Sequence, residues 1–319
     1  VTYGRIYILG SISVLIVMGM NTFITTQGFA SMSMLTTVIG AVINIVLDPI
    51  LIFGLKMGVA GAAVATVISQ IVSALWILLF LTGKKTILKL KVPNMKLQKH
   101  IIMPCLGLGI SSFIMVSTES ILSISFTSSL ARFGGDVAVG AMTVLTSINQ
   151  LITMPLSGIC QGGQPLISFN YGAREYRRVK SGILFISVLG AAFTAICWAL
   201  VLIFPEQLLR LFTTDENLVQ VGIQSMHIYF FGFVFMSLQF AGQSTFTALG
   251  KAKQAVFFSL LRKAFIVFPL TLLLPKWFEV NGVFLAEPVS NLIGGVACFA
   301  TMAATIFPML KAQEEKLHR

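Results

Sequence analysis

The sequence predicts an all-α integral membrane protein, and three observations carry that prediction. Hydrophobic residues make up 56% of the chain and charged residues 10%, and the mean hydropathy is +0.91; a soluble domain carries roughly 25% charged residues. Nine apolar runs are each long enough to cross a bilayer, which takes about 20 helical residues: about 6–25, 32–55, 59–82, 101–130, 137–159, 181–204, 218–240, 254–275 and 282–307. Peptide groups in hydrocarbon must bond within their own segment, so the runs are expected as helices. The third observation is an internal echo. Residues 5–30 align without a gap on 227–252, setting Ile6 on Ile228, Tyr7 on Tyr229, Gly10 on Gly232, Thr25 on Thr247, Gly28 on Gly250 and Ala30 on Ala252. After a two-residue slip, Gly58, Val59 and Ala62 match Gly282, Val283 and Ala286. Paired repeats are common in transporters.

The net charge of +11 does not point to nucleic acid, because its placement follows the runs. Most of the 22 lysines and arginines follow the third, fifth, seventh and ninth runs, as in Lys84–Lys99, Arg174–Lys180, Lys251–Lys263 and Lys311–Arg319. Arg5, Lys56, Arg132, Arg210 and Lys276 fall on the other side. Positive charge marks the cytoplasmic face, so the C-terminus is expected inside and residue 1 outside. Runs one to three echo runs seven to nine, while runs four to six have no echo. Two halves of six helices would therefore place three more spans ahead of Val1, and the sequence is expected to be the C-terminal part of a twelve-span protein.

The first run ends in a polar patch, Asn21-Thr22 and Thr25-Thr26-Gln27-Gly28. The second carries Asn44 and Asp48 four residues apart, on one helix face, with Pro49 expected to kink the helix. An acid within the membrane costs about 2.5–3.5 kcal/mol on insertion scales and is a functional hypothesis by default; the plainer reading is an interfacial helix cap. Gly54, Gly58, Gly61 and Ala62 at the third run suit close helix packing, and Thr66 follows. Residues 83–99 read as a basic cytoplasmic linker on anionic headgroups, dividing a partial lobe, 1–82, from a six-helix lobe, 100–319.

The fourth run carries Glu119 among hydroxyls, near one face with Ser112 and Ser123. It is expected to stay protonated or to find a partner on another helix. After the outer turn RFGGD, the fifth run holds Asn149 and Gln150, with Pro155 and Gly158 expected to break it. The following CQGGQPLISFNYGAREYRRVK reads as an irregular connection. Asp215 and Glu216 favour the start of the next helix. Gln239 and Gln243 are a cavity-facing pair in the seventh run. Glu287, with Asn291 four residues on, is either a second intramembrane acid or an outer helix-start residue. Cys105, Cys160, Cys197 and Cys298 lie in or beside apolar runs and suggest no disulfide framework. His100, His227 and His318 form no metal motif, and no phosphate-binding loop is present. No cofactor is expected.

The stretches INIVLDPILIFGLKMGVAGAAVAT, FGGDVAVGAMTVLTSINQ, MPLSGICQGGQPLISFNYGA and TFTALGKAKQA together resemble the multidrug and toxic compound extrusion (MATE) family, over essentially the whole chain and in the order of the family's helices four to twelve. The resemblance implies a two-lobe transporter in the cytoplasmic membrane, facing the lipid bilayer and acting as a monomer. It implies export of a small organic cation or drug, coupled to inward Na+ or H+. In some members an ion site uses an Asn and an Asp on helix five and a Thr on helix six; Asn44, Asp48 and Thr66 match those positions. Other members place acids on helices seven and ten. Glu119 lies on the seventh in its own motif context, and no acid occurs in 218–240. Glu119, Asn149, Gln150, Gln239 and Gln243 are the candidates for substrate and proton coupling. A flippase of a lipid-linked precursor would favour a cationic cavity, for which only Arg262 and Lys263 lie inside a run. A chain without its first three helices could also be a non-transporting remnant. A membrane enzyme would need a nucleophile or metal constellation, and none is visible.

Overall fold

A computed structural model describes residues 2–87, 90 and 98–317. Most of the expected linker, including Lys89, Lys91 and Lys96, lies outside the described residues, as do His318 and Arg319. Every described element is a helix, as the length and apolarity of the runs require. The chain divides into two compact units, Val1–Gln98 and Lys99–Arg319.

The first unit holds α1 (Thr2–Thr26), α2 (Ala30–Pro49) and α3 (Gly58–Thr82). At Pro49 the missing backbone donor breaks the regular ladder, and the chain runs on as a wider π-helical turn over Ile50–Gly54, a common consequence of a disrupted i→i−4 pattern. Antiparallel packing of α2 on α3 relies on small residues. A Cβ on Gly40 would lie 2.5 Å from Ser73 Oγ, and one on Gly61 would lie 2.9 Å from the Leu51 carbonyl.

The second unit opens with α4 (Lys99–Gly172), a 74-residue stretch in which Gly135 takes non-helical dihedrals (φ 63°, ψ −162°). The turn expected at RFGGD is thus a single-residue break, at a conformation that glycine adopts at little cost. Pro155 and Gly158 do not end the helix, and CQGGQPLISFNYG is helical up to Gly172. Neighbouring helices can take up the backbone groups that an intramembrane proline releases. Ser168 Oγ also donates to the Ala248 carbonyl at 2.7 Å, a bond between this helix and residue 248. Next come α5 (Tyr176–Ile203), the short α6 (Pro205–Arg210), α7 (Glu216–Tyr229) and α8 (Val234–Ala248). Asp215 caps α7 by accepting from Asn217 N at 2.9 Å, the helix-start role its position suggested. The seventh run is not one straight helix: α7 and α8 meet at a 53° bend. The chain then passes through α9 (Ala252–Leu260), a π-helical segment Leu261–Val267, α10 (Phe268–Leu273) and α11 (Pro275–Leu317). Glu279 in α11 has a positive φ of 50°.

By length and apolarity, seven helices among the described residues can cross a membrane, or eight if the bent pair is one span. That differs from the nine expected, because the fourth and fifth runs share α4 and the seventh is broken. Large apolar side chains point outward, among them Leu9, Phe53 and Trp277, as a hydrocarbon solvent allows. Inside the second unit, Phe230, Phe233 and Phe284 pack with Leu145 and Met226.

Candidate functional site

The second unit encloses a cavity of about 540 Å³. All five candidates for substrate and proton coupling line it. Glu119, Asn149 and Gln150 come from α4, and Gln239 and Gln243 from α8. Asn149 Nδ2 donates to Tyr229 Oη at 2.9 Å. Gln239 Nε2 donates to Phe258 O, and Gln243 Nε2 to Ala255 O, both at 3.3 Å. Buried Gln239 keeps its Oε1 without a partner among the described residues.

The cavity also holds residues that sequence reasoning had assigned elsewhere. Arg262 and Lys263 were counted with the loop charges, yet both are buried, at 7% and 9% exposure. They stand in the π-helical segment between α9 and α10. The wide turn admits two consecutive cations to the interior. Arg262 Nη1 donates to Glu287 Oε1 at 2.8 Å and to Asn291 Oδ1 at 2.7 Å. Glu287 lies within α11 rather than at its start, and Asn291, one turn on, shares its face. A Cβ on Gly294 would lie 2.9 Å from Arg262 Cγ, so the missing side chain there makes room for the arginine stem. Lys263 Nζ donates to the Glu119 carboxylate. Glu119 therefore has a partner on another helix, one of the two outcomes expected for it. The two ion pairs differ. Arg262 and Glu287 side chains are 8% and 10% exposed, whereas Glu119 is 61% exposed beside a Lys263 at 11%. The Arg-Lys dipeptide in the middle of an apolar run was the signal for this pair.

In the first unit, Asn44 Nδ2 and Asp48 Oδ1 are buried atoms without a hydrogen-bond partner among the described residues. Thr66 donates to the Ala62 carbonyl at 2.9 Å. The contacts of Gly40 with Ser73 and of Gly61 with Leu51 fix the helix register, and that register sets Thr66 level with the turn spanning Asn44 and Asp48. By that register the three stand at one depth of α2 and α3, and the half-buried Asp48 has no ion-pair partner among the described residues.

This architecture defines a polytopic helical membrane protein whose cavity is walled by discontinuous helices, a build found among membrane transporters. The MatE family model matches residues 110–273, more than half of the chain, and the chain belongs to that family, whose members are transporters and not enzymes. The "Multidrug export protein MepA" of Staphylococcus haemolyticus (strain JCSC1435) is 26% identical over 281 residues, covering 88% of this chain and 62% of the relative; the chain thus spans 62% of that relative's length. Two solved structures share the fold. An outward-facing multidrug resistance MATE family transporter of the MOP superfamily superposes with a TM-score of 0.92 at 22% identity, covering 97% of this chain and 70% of that one. A MOP superfamily transporter from Pyrococcus furiosus Vc1 (DSM3638), described as having a binding pocket of reverse polarity, gives 0.91 at 22% identity with the same coverage.

Proposed function

We propose that this chain works in the export of organic cations across the cytoplasmic membrane, by alternating access and in exchange for inward Na+ or H+. The observation that carries this reading is the second-unit cavity, in which the largely exposed Glu119 carboxylate stands among amides and hydroxyls. An acid that can reach a ligand, on a wall of apolar and amide groups, suits an amphipathic cation. The family relationship and the relative named as a multidrug export protein support the same reading. Asn44, Asp48 and Thr66 offer amide, carboxylate and hydroxyl oxygens, hard donors that suit Na+, and the carboxylate suits a proton equally well. The coupling ion binds the two orientations of the transporter unequally, because a ligand with equal affinity for both shifts nothing. The distribution of basic residues supports a cytoplasmic C-terminus, and the unit of transport is taken as the monomer.

The test is efflux of tetraphenylphosphonium from proteoliposomes under an imposed Na+ or pH gradient. Glu119→Gln is expected to reduce cation flux by at least about tenfold, as loss of a charge-assisted contact of about 1.5–3 kcal/mol implies. Asp48→Asn is expected to abolish dependence on the ion gradient. Full gradient-driven efflux by Asp48→Asn would remove Asp48 from the mechanism. A second reading, flipping of an anionic lipid-linked precursor, is favoured by Arg262 and Lys263 at the cavity. Under that reading Glu119→Gln would raise translocation of an anionic lipid-linked sugar instead of lowering cation flux.

A further inference from the structure

We propose that Lys263, rather than a carboxylate, carries the proton that a cationic substrate displaces from the second-unit cavity. The inference rests on the reading that Glu119 receives the cation. Two adjacent cations enter this interior, and their counter-charges differ in kind. Arg262 is held by Glu287 and Asn291 at 2.8 and 2.7 Å, on side chains that are almost fully enclosed. Its guanidinium does not lose a proton in proteins. Lys263 is equally buried, but its ammonium has Glu119 as its single hydrogen-bond partner among the described residues, and that carboxylate lines the cavity and is mostly exposed. The titratable groups around Lys263 are Glu119 from α4, Tyr229 from α7, Glu287 from α11 and its neighbour Arg262; α8 contributes the uncharged Gln239 and Gln243. Glu287 attracts the ammonium through space, but its hydrogen bond goes to Arg262, and Tyr229 is engaged with Asn149, so no second counter-charge is in hydrogen-bond contact with the lysine among the described residues.

A cation that pairs with Glu119 therefore leaves Lys263 as an unpaired buried charge. Burial disfavours the charged form, and lysine, unlike arginine, gives up its proton readily under that condition. The step is an exchange. Before binding, the ammonium and the carboxylate neutralise each other. Afterwards the carboxylate is paired with the substrate cation, the amine is neutral, and one proton has left to water. No bond other than N–H breaks, and net charge is conserved. In reverse, protonation of the amine restores the ammonium as a competitor for Glu119 and expels the cation. The carboxylate stays ionised throughout.

Proton release is measured with the full chain in detergent, in weak buffer with an indicator dye, on adding tetraphenylphosphonium. We expect about one proton released per cation bound and an affinity that rises tenfold per pH unit while Lys263 is protonated, as linkage of one proton requires. Lys263→Arg keeps the counter-charge without the dissociable proton; it is expected to bind the cation more weakly, with no proton release and no such slope. A variant-free measurement accompanies it: the infrared difference spectrum of wild-type protein on cation binding should contain no loss of a protonated-carboxyl band. Cation binding without proton release, release persisting in Lys263→Arg, or loss of a carboxylic-acid band would overturn the lysine assignment while leaving the Glu119 reading in place. No binding of the cation by the wild-type chain would overturn both.

Discussion

The carboxylates of the two echoing regions of this protein differ in their partners. In α1–α3, Asp48 Oδ1 has no hydrogen-bond partner among the described residues; in α7–α11, Arg262 donates to Glu287 at 2.8 Å and to Asn291 Oδ1 at 2.7 Å, while Asn291 Nδ2, like Asn44 Nδ2, has no partner among the described residues. The frame around them is shared. Both first helices close with a glycine at positive φ, Gly28 at 88° and Gly250 at 71°. The next amide reaches back to the same relative carbonyl in each, from Phe29 N to Ile24 O at 3.3 Å and from Lys251 N to Phe246 O at 2.8 Å, the closure of a Schellman motif. Each copy also has a non-glycine residue at positive φ near the start of its last helix, Lys56 at 52° just before α3 and Glu279 at 50° within α11. The offset that sets Gly28 on Gly250 sets Gly40 on Arg262. Where one copy packs a bare glycine against Ser73, the other lays an arginine stem against Gly294. The same scaffold thus pairs its acid with an arginine in one copy and has no ion pair at its acid in the other, among the described residues.

The strongest break of this contrast is Glu287→Ala. It strands the Arg262 charge in the interior, and removing one partner of a buried pair costs roughly 3–5 kcal/mol. Denaturant unfolding of the detergent-solubilised chain should register a loss of that size, and a loss under about 1 kcal/mol would mean that Arg262 reaches water or another acid. A gentler test sharpens the likeness instead. Alanine at Gly28 or Gly250 meets no atom within 4 Å, so each substitution should cost only the left-handed backbone, about 1–2 kcal/mol. Equal losses at the two sites would confirm one cap made twice, and losses differing by more than about twofold would show that the copies use their glycines differently.

The helices themselves were legible from uninterrupted apolar length, and the repeat from its ordered glycines. Their breaks were less so. Pro49 announced a disturbed ladder, but Pro155 and Gly158 sit in a helix that continues past them, because packing supplies what the local sequence withholds. Gly232 was read as part of the repeat, yet only the structure explains it: a Cβ there would lie 2.5 Å from the Pro288 carbonyl oxygen, at the bend between α7 and α8. The cavity-lining amides were visible as polar residues in apolar runs. The partner of Glu119 was not, since pairing Glu119 with Lys263 depends on contacts 144 residues apart. A charge count that assumes basic residues belong to loops moves that lysine to the wrong environment.

The contrast between an open acid and a closed one is tested most directly by thermal unfolding of the chain in detergent, as NaCl replaces choline chloride at constant ionic strength and, separately, as pH is lowered. If Asp48 awaits an outside ion, one of these ions raises the stability of the wild-type chain, by about 2.7 kcal/mol at a hundred times its dissociation constant. Asp48→Asn then loses that response, while a conservative Glu287→Gln, although less stable, retains it. An Asp48→Asn chain that responds as the wild type does, or a response lost through Glu287→Gln alone, would contradict the account.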